Sequence, residues 1–441
     1  MTTGHWPGVM RYNERYVDTG EPEMKQSMLH TTRACRERRT FSRPVIFAVA
    51  AALWVGVASQ AHAGQDWPQW RGPHGDGMSR ETDWQASFPD SGPSVLWSVD
   101  VGLGYASVAV ADGRVYTAGW RDGKDTVYCL DAKSGKIIWD RGYPASRYDS
   151  HTQGGPSGTP AVDGDRVYNL SPDGRLLCLN TKDGSVHWAK TVTDQFGAKI
   201  PRWGIAGSPI VLGKVVFVDV GLIIAFNKNT GEVIWKTKDY GSAYSTPRPF
   251  KRGGRQWLAV FPKFGLVLLD ASTGKEITKY PWPTHADVNA ATPVIQGDHF
   301  FISSGYNTGG ALLRLQGRKL QLVWEDKVMR NHMATCVLID GHLYGIDDNR
   351  LRCLDAATGE VKWSDKSVGK GTLTAANGKL IVLSDRGDLM FADASPQAFD
   401  AVARAKVLDA EKCWTVPVLA HAKIYCRSGS GELVSIDVSG E

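Results

Sequence analysis

Eight short stretches of the chain carry nearly all of its unusual polar and aromatic residues, and each lies just ahead of a serine or threonine. They hold Tyr105; His151 with Gln153; Arg202 and Trp203; Tyr244; His285 with Asn289; Arg330, Asn331 and His332; Lys370; and Lys412 with Trp414. Lysine and arginine in such a set favour an anionic group, amides and histidines orient it by hydrogen bonds, and tryptophan and tyrosine offer flat stacking faces. If the eight stretches converge, they form a polar pocket with stacking surfaces for a small molecule or peptide. The other reading is that they solvate a water-filled channel and hydrogen-bond one another. Asp347-Asp348-Asn349 suggests an Asp-Asn catalytic pair, but it falls in a short turn between two strands, where acidic and amide residues are expected anyway. Neither zinc-type His/Cys spacing nor a nucleophile elbow occurs. No catalytic residue and no metal ligand is assigned.

What must position these residues is a repeat. LDAKSGKIIW at 130–139 returns as LNTKDGSVHW at 179–188, FNKNTGEVIW at 226–235 and LDAATGEVKW at 354–363. Asp or Asn followed four residues later by Gly, with apolar alternation on both sides, is a hairpin whose turn needs a local side-chain hydrogen bond and a positive φ. Gly135, Gly184, Gly231, Gly274 and Gly359 mark this point, and Trp139, Trp188, Trp235, Trp324 and Trp363 close the following strand. Copy four has Thr278 in place of the Trp, and copy seven has lost both marks. A second hairpin signal lies upstream, as in TPAVDGDRVY at 159–168, so each copy has four strands. The first strand begins at a hydroxyl residue: Ser107, Thr159, Ser208, Thr246, Thr292, Thr335, Thr372 and Thr415, eight copies spaced 37 to 52 residues apart. Four short strands repeated at this period make an all-β chain, an eight-bladed β-propeller of four-stranded antiparallel blades. The residues preceding the hydroxyls are small except Trp414, which is therefore expected to project over the channel mouth.

The last copy stops before its Trp strand, while Pro93-Ser94-Val95-Leu96-Trp97 stands alone before the first. Trp97 is then the missing outer strand of blade eight, and the ring is closed by N-terminal and C-terminal segments in one sheet. The motif resembles the tryptophan-docking repeat of pyrroloquinoline quinone (PQQ) propellers over about residues 93–441. That resemblance implies that each indole packs between adjacent blades and that ligands bind where the loops cluster at the channel mouth. The family includes quinoprotein alcohol dehydrogenases and the cofactor-free propeller BamB, a lipoprotein scaffold of outer-membrane β-barrel assembly. A dehydrogenase of the first kind would show vicinal cysteines against the cofactor, a carboxylate and amide set for Ca²⁺, and an Asp base. No Cys-Cys pair and no Cys-x-x-Cys-His occurs here. No cofactor is expected, and PQQ with Ca²⁺ belongs only to the alternative, a PQQ-type oxidoreductase. The preferred reading is a binding or scaffold module with a protein partner or small ligand at the channel mouth.

The chain divides into an export signal at 1–63, a Trp/Gly/Pro-rich segment at 64–92 and the propeller at 93–441. Arg36, Arg38, Arg39 and Arg43 precede an apolar run from 45 to 58 and the small-x-small site Ala61-His62-Ala63, and Arg38-Arg39 resembles a twin-arginine signal. Residues before Met28 do not resemble a signal, so Met24 and Met28 are alternative starts. The expected location is periplasmic or secreted; the apolar run is too short to span a bilayer, and BamB's lipobox Cys has no counterpart at this cleavage site. The segment DWPQWRGPHGDG at 66–77 is expected to pack on the propeller, either carrying Arg71 and His74 toward a site or as a plug on the outer surface. Beyond residue 63 the chain holds 43 basic and 41 acidic residues, so no nucleic acid is expected as a partner. A monomer is expected. Cys129, Cys178 and Cys353 share one repeat position and read as core residues, and the strand register keeps Cys413 from Cys426, so no disulfide is expected.

Overall fold

The computed structural model describes residues 65–440; the export signal read over 1–63 lies outside the described residues. Seven sheets have four strands and one has five; six blades run in chain order from the inside outward, while blades seven and eight each take in one strand from the N-terminal part of the chain. The innermost strands are Ala109–Ala111, Ala161–Asp163, Ile210–Leu212, Arg248–Arg252, Val294–Gln296, Val337–Ile339, Thr372–Ala376 and Val418–Ala420. Helix is confined to Val192–Phe196 and a 3-10 turn at His285–Asp287 among the described residues. The outer strand of blade eight is Ser94–Asp100, antiparallel to Glu432–Asp437 with Trp97 opposite Ser435, so the ring closes as the isolated Trp97 strand required.

Local chemistry explains the hairpins. Asp131 accepts from the backbone N–H of Ser134 at 2.8 Å, and Gly135 has φ +70°. The indole of Trp97 lies against the Cα of Gly135, where a Cβ would collide with the ring. Its N–H donates to the carbonyl of Ala132 in the next blade at 3.2 Å. The same bond runs from Trp139 to Thr181, Trp188 to Lys228, Trp235 to Ala271, Trp324 to Ala356 and Trp363 to Ser395. In blade seven Ala403 takes the Trp position opposite Phe391. Trp84, from the segment before the ring, fills that junction, its ring 5.6 Å from that of Phe391.

Six of the eight hydroxyl residues precede their strand by two positions, and Thr415 by three; only Thr372 starts one. Most of them are spent instead on bonds between blades, Thr292 on Trp70 and Thr415 on Arg427 carbonyl in its own blade being the exceptions. Ser107 N–H donates to Thr159 Oγ1, Thr159 N–H to Ser208 Oγ, Ser208 N–H to Thr246 Oγ1 and Thr292 N–H to Thr335 Oγ1, at 2.9 to 3.1 Å. Thr372 Oγ1 and Ser107 Oγ donate to the carbonyls of Thr415 and Val416, both at 2.8 Å. The closing junction also holds Arg427, fully buried, whose guanidinium donates to the carbonyls of Ala106, Ala118 and Gly102 and to Thr117 Oγ1. Burial pushes its pKa down to about 10.

The segment from 65 to 81 does not pack outside the ring but runs inside it, along the open edges of the innermost strands. Trp67 bridges Val110 in both directions at 2.8 Å, and Pro68 carbonyl accepts from Val162. Trp70 Nε1 donates to Thr292 Oγ1 at 2.9 Å, and Arg71 donates to Cys336 carbonyl at 2.8 Å. Met78–Ser79 adds a parallel fifth strand to Thr372–Ala376. The buried carboxylate of Glu81 accepts from the N–H groups of His421 and Ala422. An unpaired strand edge facing a channel is costly to leave dry, and this segment satisfies it.

All six described cysteines are free and buried. Val418 pairs with Tyr425, which sets Cys426 opposite Pro417, four residues from Cys413. A peptide mass map without reductant is expected to show no bridge between them. Trp139→Ala should cost about 3–5 kcal/mol, and Trp363→Ala should fall at the low end of that range because this indole is only partly buried. Arg427→Met, which leaves several carbonyls without a donor, should cost about 1–3 kcal/mol. Shifts in the urea unfolding midpoint check all three.

Candidate functional site

The loops leading into the innermost strands enclose a cup of about 420 Å³ at one mouth of the channel. Its floor is Trp70, held by Thr292. Of the twelve residues singled out from the sequence, Tyr105, His151, Trp203, Tyr244, His332, Lys370 and Trp414 line it. Tyr105 and Trp414 stack at 5.2 Å and 23°, and the Tyr105 hydroxyl donates to Gln153 Oε1 at 3.3 Å. The Trp414 indole N–H is buried with no partner among the described residues. Trp203 packs on Tyr244 at 5.6 Å and donates to the carbonyl of Ser150 at 2.6 Å.

The other five lie elsewhere. Arg202 is exposed over the Trp203 ring, within hydrogen-bond distance of Ser150 and His151. Lys412 sits 5.9 Å from the Trp414 ring centroid, and His285 is exposed beside Tyr306. Asn289 and Asn331 do not face the cup: both are buried in its walls. Asn289 donates to Pro262 carbonyl and accepts from Ser304; Asn331 donates to Ile346 carbonyl and accepts from the Cys336 thiol. These amides satisfy backbone that would otherwise be buried without partners.

Sequence reasoning missed three lining aromatics, Trp70, Tyr148 and Tyr306. Tyr306 meets His332 edge-on at 4.5 Å, and Tyr148 donates to Asp173 at 2.7 Å. Tyr148 and Tyr306 have φ of +54° and +49°; Gly305, Asn307 and Gly309 mark a turn around Tyr306 without saying which residue it turns inward, and no glycine or asparagine so marks Tyr148.

The electrostatics are one-sided. No aspartate or glutamate lines the cup. Lys370 is 3.5 Å from Asp348, which follows the hairpin strand His342–Asp347. Asp348 and Asn349 form the turn that the sequence suggested, whereas Asp347 ends the strand opposite Arg350, fully buried and paired with Arg330 and Arg352 at 2.6 and 3.0 Å. Burial, and then Lys370, lower the pKa of His332, which favours its neutral imidazole. In the wall behind Tyr148, Asp125 is buried opposite Tyr143 with no partner for either oxygen. Burial, with a smaller contribution from Asp173, pushes its pKa up to about 8.

A closed ring of eight four-stranded blades with a loop-built cup at the mouth defines the class of PQQ-like β-propellers. Within that class, the chain belongs to the family described as outer membrane protein assembly factor BamB, which matches residues 89–147 and 140–365. It is 26% identical over 378 residues to outer membrane protein assembly factor BamB of Shewanella oneidensis, covering 78% of this chain and 89% of that relative. It is 32% identical to quinohemoprotein alcohol dehydrogenase ADH IIB of Pseudomonas putida, but over 143 residues, 28% of this chain and 19% of that enzyme. BamB from Moraxella catarrhalis superposes with a TM-score of 0.59 at 16% identity, covering 78% of this chain and 99% of the other. Quinohemoprotein alcohol dehydrogenase from Comamonas testosteroni does so with 0.62 at 14%, covering 87% and 82%. At such identities the likeness of structure speaks for the fold alone.

Asp125 gives a pH prediction. Its folded form keeps a proton up to about pH 8, whereas the unfolded chain releases it near pH 4, so it costs stability increasingly as pH rises through that window. Asp219, pushed up to about 7 by burial, acts in the same direction. Thermal unfolding of Asp125→Asn should therefore gain on wild type between pH 5 and pH 8 and hold a constant lead above that.

Proposed function

We propose that this protein is an exported binding or scaffold module that engages a protein or small ligand at the channel mouth and performs no catalysis there. The observation that carries this reading is the cup itself, a rigid aromatic enclosure with a fixed floor and no carboxylate in its lining. Loops held by strands present stacking faces well, and Lys370, shared with Asp348 at 3.5 Å, can turn to an anionic group. Similarity along 89% of a relative named as an assembly factor supports a partner-binding role.

The residues present do not fit a quinone centre with Ca²⁺. Such an ion asks for several oxygen ligands, carboxylates foremost. The wall amides Asn289 and Asn331 are consumed by backbone and neighbours, and Asp347 is locked by two arginines. Among the described residues, no group of three or more His, Cys, Asp or Glu side chains is placed to hold a metal. No helix among them is long and apolar enough to cross a membrane.

Purification with PQQ and Ca²⁺ present, followed by absorption spectroscopy and mass analysis of bound material, should return no stoichiometric quinone. A stoichiometric quinone would overturn the reading in favour of an oxidoreductase. In an interaction screen, Trp414→Ala and His332→Ala should each weaken partner or ligand binding about tenfold or more with thermal unfolding little changed. Unchanged binding by both variants would move the site off the channel mouth.

A further inference from the structure

Beneath Trp70 lies a second cavity, of about 380 Å³, separate from the cup. It is bounded by the N-terminal segment on one side and by the innermost strands of blades three and four on the other. Gln69, Arg71, His74, Arg248 and Lys251 contribute to its wall, and no aspartate or glutamate does. Two guanidinium groups therefore share one end of the channel with no carboxylate in the wall between them, and Asp76 acts on both only from a distance. Asp76, the acid of the same segment, is taken by Arg80 at 2.6 Å. Neither Arg71 nor Arg248 forms an ion pair with a carboxylate among the described residues.

The two arginines differ in what they have left to give. Arg71 is buried, and its donors are spent on the carbonyls of Gly75, Asp76, Thr335 and Cys336. Burial and then repulsion from Arg248 push its pKa down to about 10. Arg248 donates through Nη1 to the carbonyl of His74 and makes no other hydrogen bond among the described residues. Its Nε and Nη2 remain for the cavity. Gln69 accepts from Val211 N–H through Oε1 at 3.2 Å, which leaves its NH₂ group as a further donor. The segment passes Arg248 at Gly75, where φ is +63° and a Cβ would collide with the guanidinium. The cavity is rich in donors and empty of charged acceptors.

We propose that this cavity binds a phosphate group, either free phosphate or the phosphoryl end of a small ester, held by Arg248 in the field of Arg71. A planar guanidinium meets two phosphate oxygens at once, and two cations without a direct ion pair favour a doubly charged anion. The volume exceeds what one phosphate fills, and Trp70, Pro249 and Phe250 supply apolar wall for the body of an ester. The site is independent of the cup on the other face of Trp70. An anion there joins the N-terminal segment to blade four.

The test uses the described propeller within the full chain, titrated with inorganic phosphate, glycerol 3-phosphate or acetate at constant ionic strength, and read by calorimetry and thermal unfolding. Phosphate should bind saturably and raise the unfolding temperature, while acetate should do neither. Arg248→Met should bind phosphate about 10- to 100-fold more weakly, the factor for a lost charge-assisted hydrogen bond. Without phosphate it should unfold no lower than wild type, because like-charge repulsion is relieved. Tighter binding of glycerol 3-phosphate than of phosphate assigns the site to an ester, and the reverse assigns it to the free ion. As a measurement that needs no variant, phosphate should protect Arg248 of wild type from phenylglyoxal, as mapped by mass spectrometry. Absence of saturable binding, equal affinity in Arg248→Met, an equal effect of acetate, or no protection of Arg248 overturns the proposal.

Discussion

Every blade of the ring turns the bare edge of its innermost strand toward a narrow channel, and the structure is organised around satisfying those edges. Backbone N–H and C=O groups at that depth need partners. Near the mouth they are met by hydroxyls of the next blade, as when Thr159 accepts from Ser107 and Ser208 from Thr159. Deeper in the channel they are met by the chain's own N-terminal segment, through Trp67, Pro68, Arg71 and Met78–Ser79. The cup and the lower cavity are both consequences. One is the space above the segment, the other the space the segment leaves beside blades three and four, and Trp70 divides them.

The outer part of the ring obeys a different requirement. Neighbouring blades splay apart with distance from the axis, and an indole is large enough to fill the wedge while donating one hydrogen bond across it. Glycine at the facing turn serves two ends at once, supplying positive φ and leaving room for the ring. Blade seven breaks the pattern with Ala403, and Trp84 is brought in from outside the repeat to occupy the gap. The segment before the ring thus contributes to the channel floor and to an outer junction. The last junction adds Arg427, whose four donated bonds tie the C-terminal strands of blade eight to blade one and to the segment that leads into it.

Against this scaffold the mouth loops are locked chiefly by bonds among themselves. Trp203 is fixed by Ser150, Tyr105 by Gln153, Asn289 by the carbonyl of Pro262 and Asn331 by that of Ile346. Polar capacity used in this way is lost to a ligand, which is why so polar a set of loops ends in a largely aromatic cup. The fold is shared with dehydrogenases, but no carboxylate lines this cup, and Asn289, Asn331 and Asp347 are committed to partners elsewhere.

The sequence by itself determined the blade count, the four-strand repeat, the hairpin turns and the closing role of Trp97. Those features rest on local rules, the period-two alternation of strands and the φ demanded at a turn, and local rules repeat in register. It also marked the loops that build the cup, with seven of the twelve singled-out side chains lining it. Only the tertiary structure decided which side chains those loops turn inward. Asn289 and Asn331 went to the walls because buried carbonyls and neighbouring side chains required partners, a need invisible in one-dimensional spacing. Tyr148 and Tyr306 entered through left-handed backbone, whose direction into the cup no residue type announces. The course of residues 65–81 was likewise decided by tertiary structure. Trp70 meets Thr292 across 222 residues of chain, and such a contact depends on the whole ring having closed around it.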